Sequence, residues 1–158
     1  MTRGTLSLLG FLGAVVLVAV GSWLWYRSLK HHTHHASSGQ YDRASAEFTD
    51  AIRMDPNDAW AYIERGVAQD LDGRSELAIT DFSEAIRLDS NNAVAHSNRA
   101  NTYLAMGRYA EAIADYTEAI RLDPKLPEPH SGRAKAYRAL GNEEKAAEDE
   151  RKAQELMK

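Results

Sequence analysis

Cysteine is absent from the 158-residue chain. Its absence excludes disulfide bonds, thiolate metal sites, a cysteine nucleophile and a lipid anchor on cysteine. It does not identify the compartment, because reducing and oxidising spaces both contain proteins without cysteine.

Acidic residues are missing from the first 30 positions, where the only charged side chains are Arg3, Arg27 and Lys30. All 23 acidic residues therefore lie in the rest of the chain and outnumber the basic residues there. Binding to a phosphate backbone needs a basic face, so the sequence predicts no nucleic-acid partner.

Known catalytic patterns are missing as well. The chain has no phosphate-binding glycine loop followed by Lys and Ser or Thr, no dinucleotide-binding glycine fingerprint and no zinc-protease helix. No serine stands in the strand-turn-helix context of a nucleophile. We therefore expect a protein that is not an enzyme and that uses no cofactor.

A long apolar run near the beginning of the chain predicts a membrane anchor. Thr5–Tyr26 has no charged residue, and a helix over it would be about 33 Å long, enough for a bilayer core of about 30 Å. Two tryptophans and a tyrosine end the run, and Arg27 and Lys30 follow, as in an interfacial anchor. We predict a tail over residues 1–4, a transmembrane helix over residues 5–26 in contact with the lipid bilayer, and a single-pass membrane protein.

Three properties of this run stay open. Small residues at 19–21 have the spacing of a signal-peptide cleavage site, although the apolar run continues beyond them. Positive charges flank the run on both sides, so the side of the membrane that holds the remaining chain is unresolved. Gly10 and Ala14 form a small-xxx-small pair through which two copies can associate.

Four histidines lie in the next segment, a linker over residues 27–39: His31, His32, His34 and His35. On a continued helix, His31 and His35 lie one turn apart and can chelate a divalent metal, so a membrane sensor of metal or pH is an alternative function. The run contains no carboxylate, and we favour a polar, partly protonated collar beside the membrane.

A sequence pattern recurs every 34 residues in the rest of the chain. The run EAIRLD at residues 84–89 returns at residues 118–123, and Gly73 returns as Gly107 and Gly141. A fixed period of this length is typical of stacked repeat proteins.

Small and aromatic residues follow the same period. The small residues are Gly66, Ala78, Ala85, Ala100, Ala112, Ala119, Ala134, Ala146 and Ala153, and the aromatic ones include Phe82, Tyr103, Tyr116 and Tyr137. Over roughly residues 39–158 this pattern resembles the tetratricopeptide repeat (TPR), a helix-turn-helix unit. The resemblance implies an all-α, right-handed solenoid in which small residues lie where helices cross and aromatic residues fill the gap toward the next unit.

The repeat period divides the chain into a half repeat over residues 40–58 and three units over residues 59–92, 93–126 and 127–158. His32 stands where later units have a small residue, so we expect no complete unit before residue 40. Glu150 replaces the recurring aromatic residue in the last unit, which is typical of a terminal capping helix.

Helices are predicted over residues 40–54, 58–71, 74–88, 92–105, 108–122, 127–139 and 143–157. Gly73, Gly107 and Gly141 lie just past helix ends, where a left-handed residue is favourable. The segments 55–58 and 90–92 supply Asn or Asp caps, whereas the third linker has no capping side chain and starts its helix with Pro127.

Other residues recur once per unit. His96 and His130 stand where the first unit has Tyr62, and we predict that they pack at helix crossings. Arg65, Arg99 and Arg133 are predicted to pair with neighbouring acids, and a basic ladder for a ligand is the alternative.

The resemblance places a ligand on the concave face lined by the first helix of each unit. The residues predicted on it are Trp60, Ile63, Val67, Val94, Asn98, Asn101, Lys135 and Arg138. An apolar patch at Trp60, Ile63 and Val67 would favour a partner, although packing against the half repeat or the linker is an alternative for these residues. The two asparagines suit an extended peptide backbone, and Lys135 and Arg138 suit an acidic residue or terminus.

Some TPR proteins clamp the terminal carboxylate of a chaperone with a set of Lys, Asn and Arg residues. Only Asn98 matches that set here, because Ile63, Val67, Glu128 and Gly132 stand at four of its positions, so this activity is not predicted. The sequence predicts a membrane-anchored protein-protein interaction scaffold that binds another protein, as a peptide or a helix, with self-association as a further outcome.

Overall fold

The structure, a computed structural model, describes residues 38–158. This range forms seven α-helices: α1 (Ser38–Met54), α2 (Ala59–Leu71), α3 (Ser75–Leu88), α4 (Ala93–Ala105), α5 (Tyr109–Leu122), α6 (Pro127–Ala139) and α7 (Glu143–Leu156). The observed helix ends lie within two residues of the predicted ones. Ser38 and Gly39, assigned to the linker from the sequence, are the first residues of α1.

The predictions for residues 1–4 and 5–26 and for the four histidines of the linker lie outside the described residues. They include the bilayer contact, the cleavage site and the metal or pH sensor. Within residues 38–158, no helix is both long enough and apolar enough to cross a membrane.

The helices stack in chain order. Pairs α2–α3, α4–α5 and α6–α7 form the three units, while α1–α2, α3–α4 and α5–α6 join each unit to the one before it. The first helices also touch directly, α2 with α4 and α4 with α6. Contacts limited to near neighbours are those of a helical solenoid, and the predicted all-α fold is confirmed for the described residues.

Local chemistry explains where the helices begin and end. Oδ1 of Asp58 accepts hydrogen bonds from the backbone N–H of Trp60 at 3.0 Å and of Ala61 at 3.2 Å, which caps α2. Gly73, Gly107 and Gly141 have φ values of 81°, 75° and 76°, a conformation that strains every residue with a Cβ. Helix α6 has no side-chain cap and starts with proline, as predicted.

The core is built from small residues at the helix crossings, and all nine of the predicted ones are buried. Two buried aromatic side chains complete it. Phe82 lies against Gly66 of its own unit and clusters with Ala95 of the next helix. Tyr116 clusters with Ala100 of its own unit and lies against Gly132 of the next unit, where an added Cβ would be 2.3 Å from Cζ of its ring.

In each unit, a repeated arginine contact joins the two helices of the unit to the helix that precedes them in the stack. In the middle unit, Nε and Nη2 of Arg99 donate to the two carboxylate oxygens of Asp115 at 2.7 and 2.8 Å. Nη1 donates to Oγ of Ser83, in the preceding unit, at 2.9 Å. We call this set an arginine clamp, and the other two clamps are Arg65 with Asp81 and Thr49, and Arg133 with Asp149 and Thr117. Because the guanidinium groups are engaged in this way, the prediction of ion pairing is confirmed.

The two histidines add to the second and third clamps. Nδ1 of His96 lies 3.2 Å from Oδ1 of Asp115, and Nδ1 of His130 lies 3.0 Å from Oδ1 of Asp149. Burial by itself raises the pKa of both aspartates, but the hydrogen bonds from arginine and histidine outweigh it. The pKa of each carboxyl group therefore lies below its ordinary value, and both histidines pack at helix crossings as predicted.

Candidate protein-binding groove

The first helix of each unit presents one row of residues on the side predicted to bind a ligand. Because residues at i, i+4 and i+7 share a helix face, each row follows from the helix geometry. We call the three rows together the groove face; its members are Trp60, Glu64, Val67 and Leu71 on α2, Val94, Asn98 and Asn101 on α4, and Glu128, Gly132, Lys135 and Arg138 on α6.

The α2 row is mostly apolar. Trp60 is 48% exposed and Leu71 is 40% exposed, while Val67 is half-buried against the core cluster that contains Phe82. Exposed tryptophan and leucine on one helix face make an apolar surface, as proteins present to partners.

Ile63 was predicted on the groove face, and the structure places it in the core instead. Its side chain is 1% exposed and clusters with Ala78, Phe82 and Ala85. Three residues after Trp60, it lies far enough around α2 to turn toward α3. Ile63 is therefore not accessible to a ligand, and the apolar surface consists of Trp60, Val67 and Leu71.

Glu64 is a carboxylate within this apolar row, and it was not predicted from the sequence. Burial raises the pKa of its carboxyl group above the ordinary value. Within the described part of the chain it has no hydrogen-bond or ion-pair partner. Its spacing of four residues from Trp60 is the signal that would have placed it on this face.

The α4 row is more polar. Val94 is 43% exposed, whereas Asn98 is only 8% exposed and so offers little surface to a ligand. Asn101 is exposed, and its Oδ1 accepts a hydrogen bond from Oη of Tyr116 at 2.6 Å. The tyrosine hydroxyl thus engages the carbonyl oxygen of the amide, and the NH₂ group of Asn101 is a hydrogen-bond donor.

The α6 row carries one exposed carboxylate, Glu128, and two positive charges. Lys135 is exposed and has no ion-pair partner among the described residues. Arg138 is also exposed, but it pairs with Glu143 at 3.3 Å and with Glu150 at 2.8 Å. Lys135 is therefore the cation on this row that remains available.

Comparisons with known proteins agree with this architecture. Models described as tetratricopeptide repeat match residues 31–93 and 82–114, and a model described as TPR repeat matches residues 100–141. The chain belongs to the tetratricopeptide repeat family. The first match begins at residue 31, before the half repeat that the sequence predicted at residue 40.

Several solved structures are similar to this TPR chain, while no curated protein matches it. The second TPR domain of Spaghetti (RPAP3), bound to the HSP90 peptide SRMEEVD, is 33% identical over 62% of this chain and 91% of its own, with a TM-score of 0.61. The Arabidopsis OM64 TPR domain is 30% identical over 62% and 81%, also with a TM-score of 0.61. MamA is 25% identical over 75% and 70%, with a TM-score of 0.71.

The family and the fold together give the protein's general role. A TPR solenoid is typically a non-enzymatic scaffold, because stacked helix pairs leave a long curved surface on which another chain can lie. This protein is a helical scaffold for protein-protein interaction.

Proposed function

We propose that the groove face binds an extended segment of another protein. One observation carries the proposal: the face combines exposed apolar side chains, Trp60, Leu71 and Val94, with a donor amide on Asn101 and, on Lys135, a cation that has no ion-pair partner within residues 38–158. The clamp arginines, by contrast, are engaged within the fold.

An extended peptide fits this order of groups. Apolar side chains of the ligand would pack on α2 and on Val94, and its backbone carbonyls would accept from Asn101. An acidic residue or terminus would pair with Lys135. The second TPR domain of Spaghetti, which is similar to this chain, is bound to a peptide. An amphipathic helix is the other shape of ligand that the proposal covers.

The proposed site is tested with random peptides displayed on phage and selected on the immobilised full chain. Peptides of about ten residues suffice, because at about 3.3 Å per residue they span three helices packed about 10 Å apart. Selected peptides should bind a Trp60→Ala, Asn101→Ala double variant at least about tenfold more weakly, since each side chain belongs to the proposed contact.

The control is Leu77→Ala, which removes another exposed apolar side chain, on α3 outside the groove face. It should leave binding unchanged, and circular dichroism should show equal helix content in all variants. Full binding by the double variant, or failure to select any peptide, would refute the proposed site.

We further propose that residues 5–26 anchor this scaffold in a bilayer. The length and apolarity of the segment support the proposal. Alkaline extraction of membranes checks it: the full chain should stay in the membrane pellet, and a chain without residues 5–26 should be released.

A further inference from the structure

Trp60 and Glu64 form a pair on α2 that the proposed peptide site does not yet explain. They lie four residues apart, so their side chains share one side of the helix. Trp60 is 48% exposed, and Glu64 next to it is half-buried. An accessible indole ring beside a carboxylate is the combination that receives a positively charged side chain, because both groups attract a cation.

Glu64 differs from the buried carboxylates of the same solenoid. Asp81, Asp115 and Asp149 each accept two hydrogen bonds from an arginine. Glu64 loses water to burial without gaining such a partner from residues 38–158, and burial raises the pKa of its carboxyl group. A cation supplied by a ligand would compensate the Glu64 carboxylate for its lost hydration, as the clamp arginines do for the three aspartates.

The side chains around the pair favour a lysine or arginine side chain over a metal ion as the bound cation. Among residues 38–158, no group of three His, Asp or Glu side chains is placed to hold a metal ion. Leu71 and Val67 continue the row beside the pair as apolar surface, which suits the methylene stem of a lysine or arginine. The rows on α4 and α6 then continue the surface away from the pair.

We propose that Trp60 and Glu64 form a subsite for a lysine or arginine side chain of the bound polypeptide. The basic side chain lies over the indole ring, and its charge pairs with the Glu64 carboxylate. Lys135 lies on the opposite outer row, in the second half of α6 and away from Glu128 at the start of that helix, so the groove face has an anion on α2 and a cation in this part of α6. The preferred ligand therefore carries a basic residue at one end of the bound segment and an acidic residue or terminus at the other. This inference rests on the proposed function, since it names the chemistry of the partner at that site.

The test uses the same random displayed peptides, selected in parallel on the full-length wild-type chain and on Glu64→Gln. The glutamine keeps the size of the side chain and removes its charge. Peptides from the wild type should share a lysine or arginine at one position, and peptides from the variant should not. A wild-type-selected peptide should bind Glu64→Gln about tenfold more weakly, because a charge-assisted hydrogen bond in a half-buried site is replaced by a neutral one.

Two controls make the result specific. Glu144→Gln neutralises an exposed glutamate on α7, outside the groove face, and should leave peptide binding unchanged. A peptide whose basic residue is replaced by methionine should bind the wild type and Glu64→Gln equally, because neither complex then contains the cation that pairs with Glu64.

The experiment distinguishes a failure of the cation subsite from a failure of the proposed function. Selected peptides without a shared basic residue, or equal binding of a basic peptide to Glu64→Gln, would overturn the cation subsite. If those peptides still bound the Trp60→Ala, Asn101→Ala double variant more weakly, the proposed function would stand without it. Selection of no peptide would overturn both.

Discussion

Replacing Gly132 by alanine tests the packing between the second and third units. The new Cβ would lie 2.3 Å from Cζ, 2.5 Å from Oη and 2.6 Å from Cε1 of Tyr116. The tyrosine cannot easily move away, because it is fully buried and its Oη donates a hydrogen bond to Asn101 at 2.6 Å. The clash is therefore resolved only by displacing α6 or breaking that hydrogen bond.

The expected cost combines two opposing effects. Overpacking of a close-packed core costs about 1–3 kcal/mol, whereas alanine in place of glycine within a helix stabilises by about 0.5–1 kcal/mol. We expect a net loss of about 1–2 kcal/mol in the free energy of unfolding. Urea unfolding followed by circular dichroism measures this loss.

A second chain, which lacks the Tyr116 ring, separates the steric clash from the other effects of the alanine substitution. In a Tyr116→Leu chain the ring is absent, so Gly132→Ala should be neutral or stabilising by up to about 1 kcal/mol. Gly39 is a helical glycine with no atom of the described residues within 4 Å of an added Cβ, so it is the matched control, and Gly39→Ala should not destabilise. An equal loss from Gly132→Ala in both backgrounds would refute the packing argument.

The remaining predictions concern the clamps and the turns. The folded pKa of Asp115 lies below its unfolded value of about 3.9, so its contribution to stability is complete above that pH and is lost as the pH falls below about 4. Urea unfolding between pH 7 and pH 3 should show this loss, and Asp115→Asn should show a smaller decrease with pH; an unchanged decrease would contradict the assignment. Gly107→Ala should destabilise by about 1–2 kcal/mol, because φ is 75° there and alanine is strained in that conformation. Thermal unfolding measures that effect, and a variant as stable as the wild type would show that the turn rearranges without cost.

The architecture could be predicted because its signals are local or periodic. A glycine such as Gly141 ends a helix through its own backbone freedom, and Asp58 caps α2 through atoms two and three residues away. The interval of 34 residues then places equivalent helices at equivalent positions in the stack. Neither inference needs knowledge of distant contacts.

The exposure of the residues predicted to bind a ligand followed from the sequence only in part. Trp60, Val94 and Lys135 are exposed, but Ile63 is in the core and Asn98 is nearly buried. A spacing of three or four residues defines a helix face only to within a fraction of a turn. The side chains at the edge of that face are buried or exposed according to how the neighbouring helices rotate against them.

The sequence by itself thus determined the helices, their order and the interval at which they stack. Only the tertiary structure decided that the Tyr116 ring lies against Gly132 of the next unit so closely that no Cβ fits there, and that Glu64 is partly buried without a partner among the described residues. Helix formation depends on neighbours along the chain. The direction of a buried ring and the hydration of a carboxylate depend on the space left by residues from other helices, which no local pattern records.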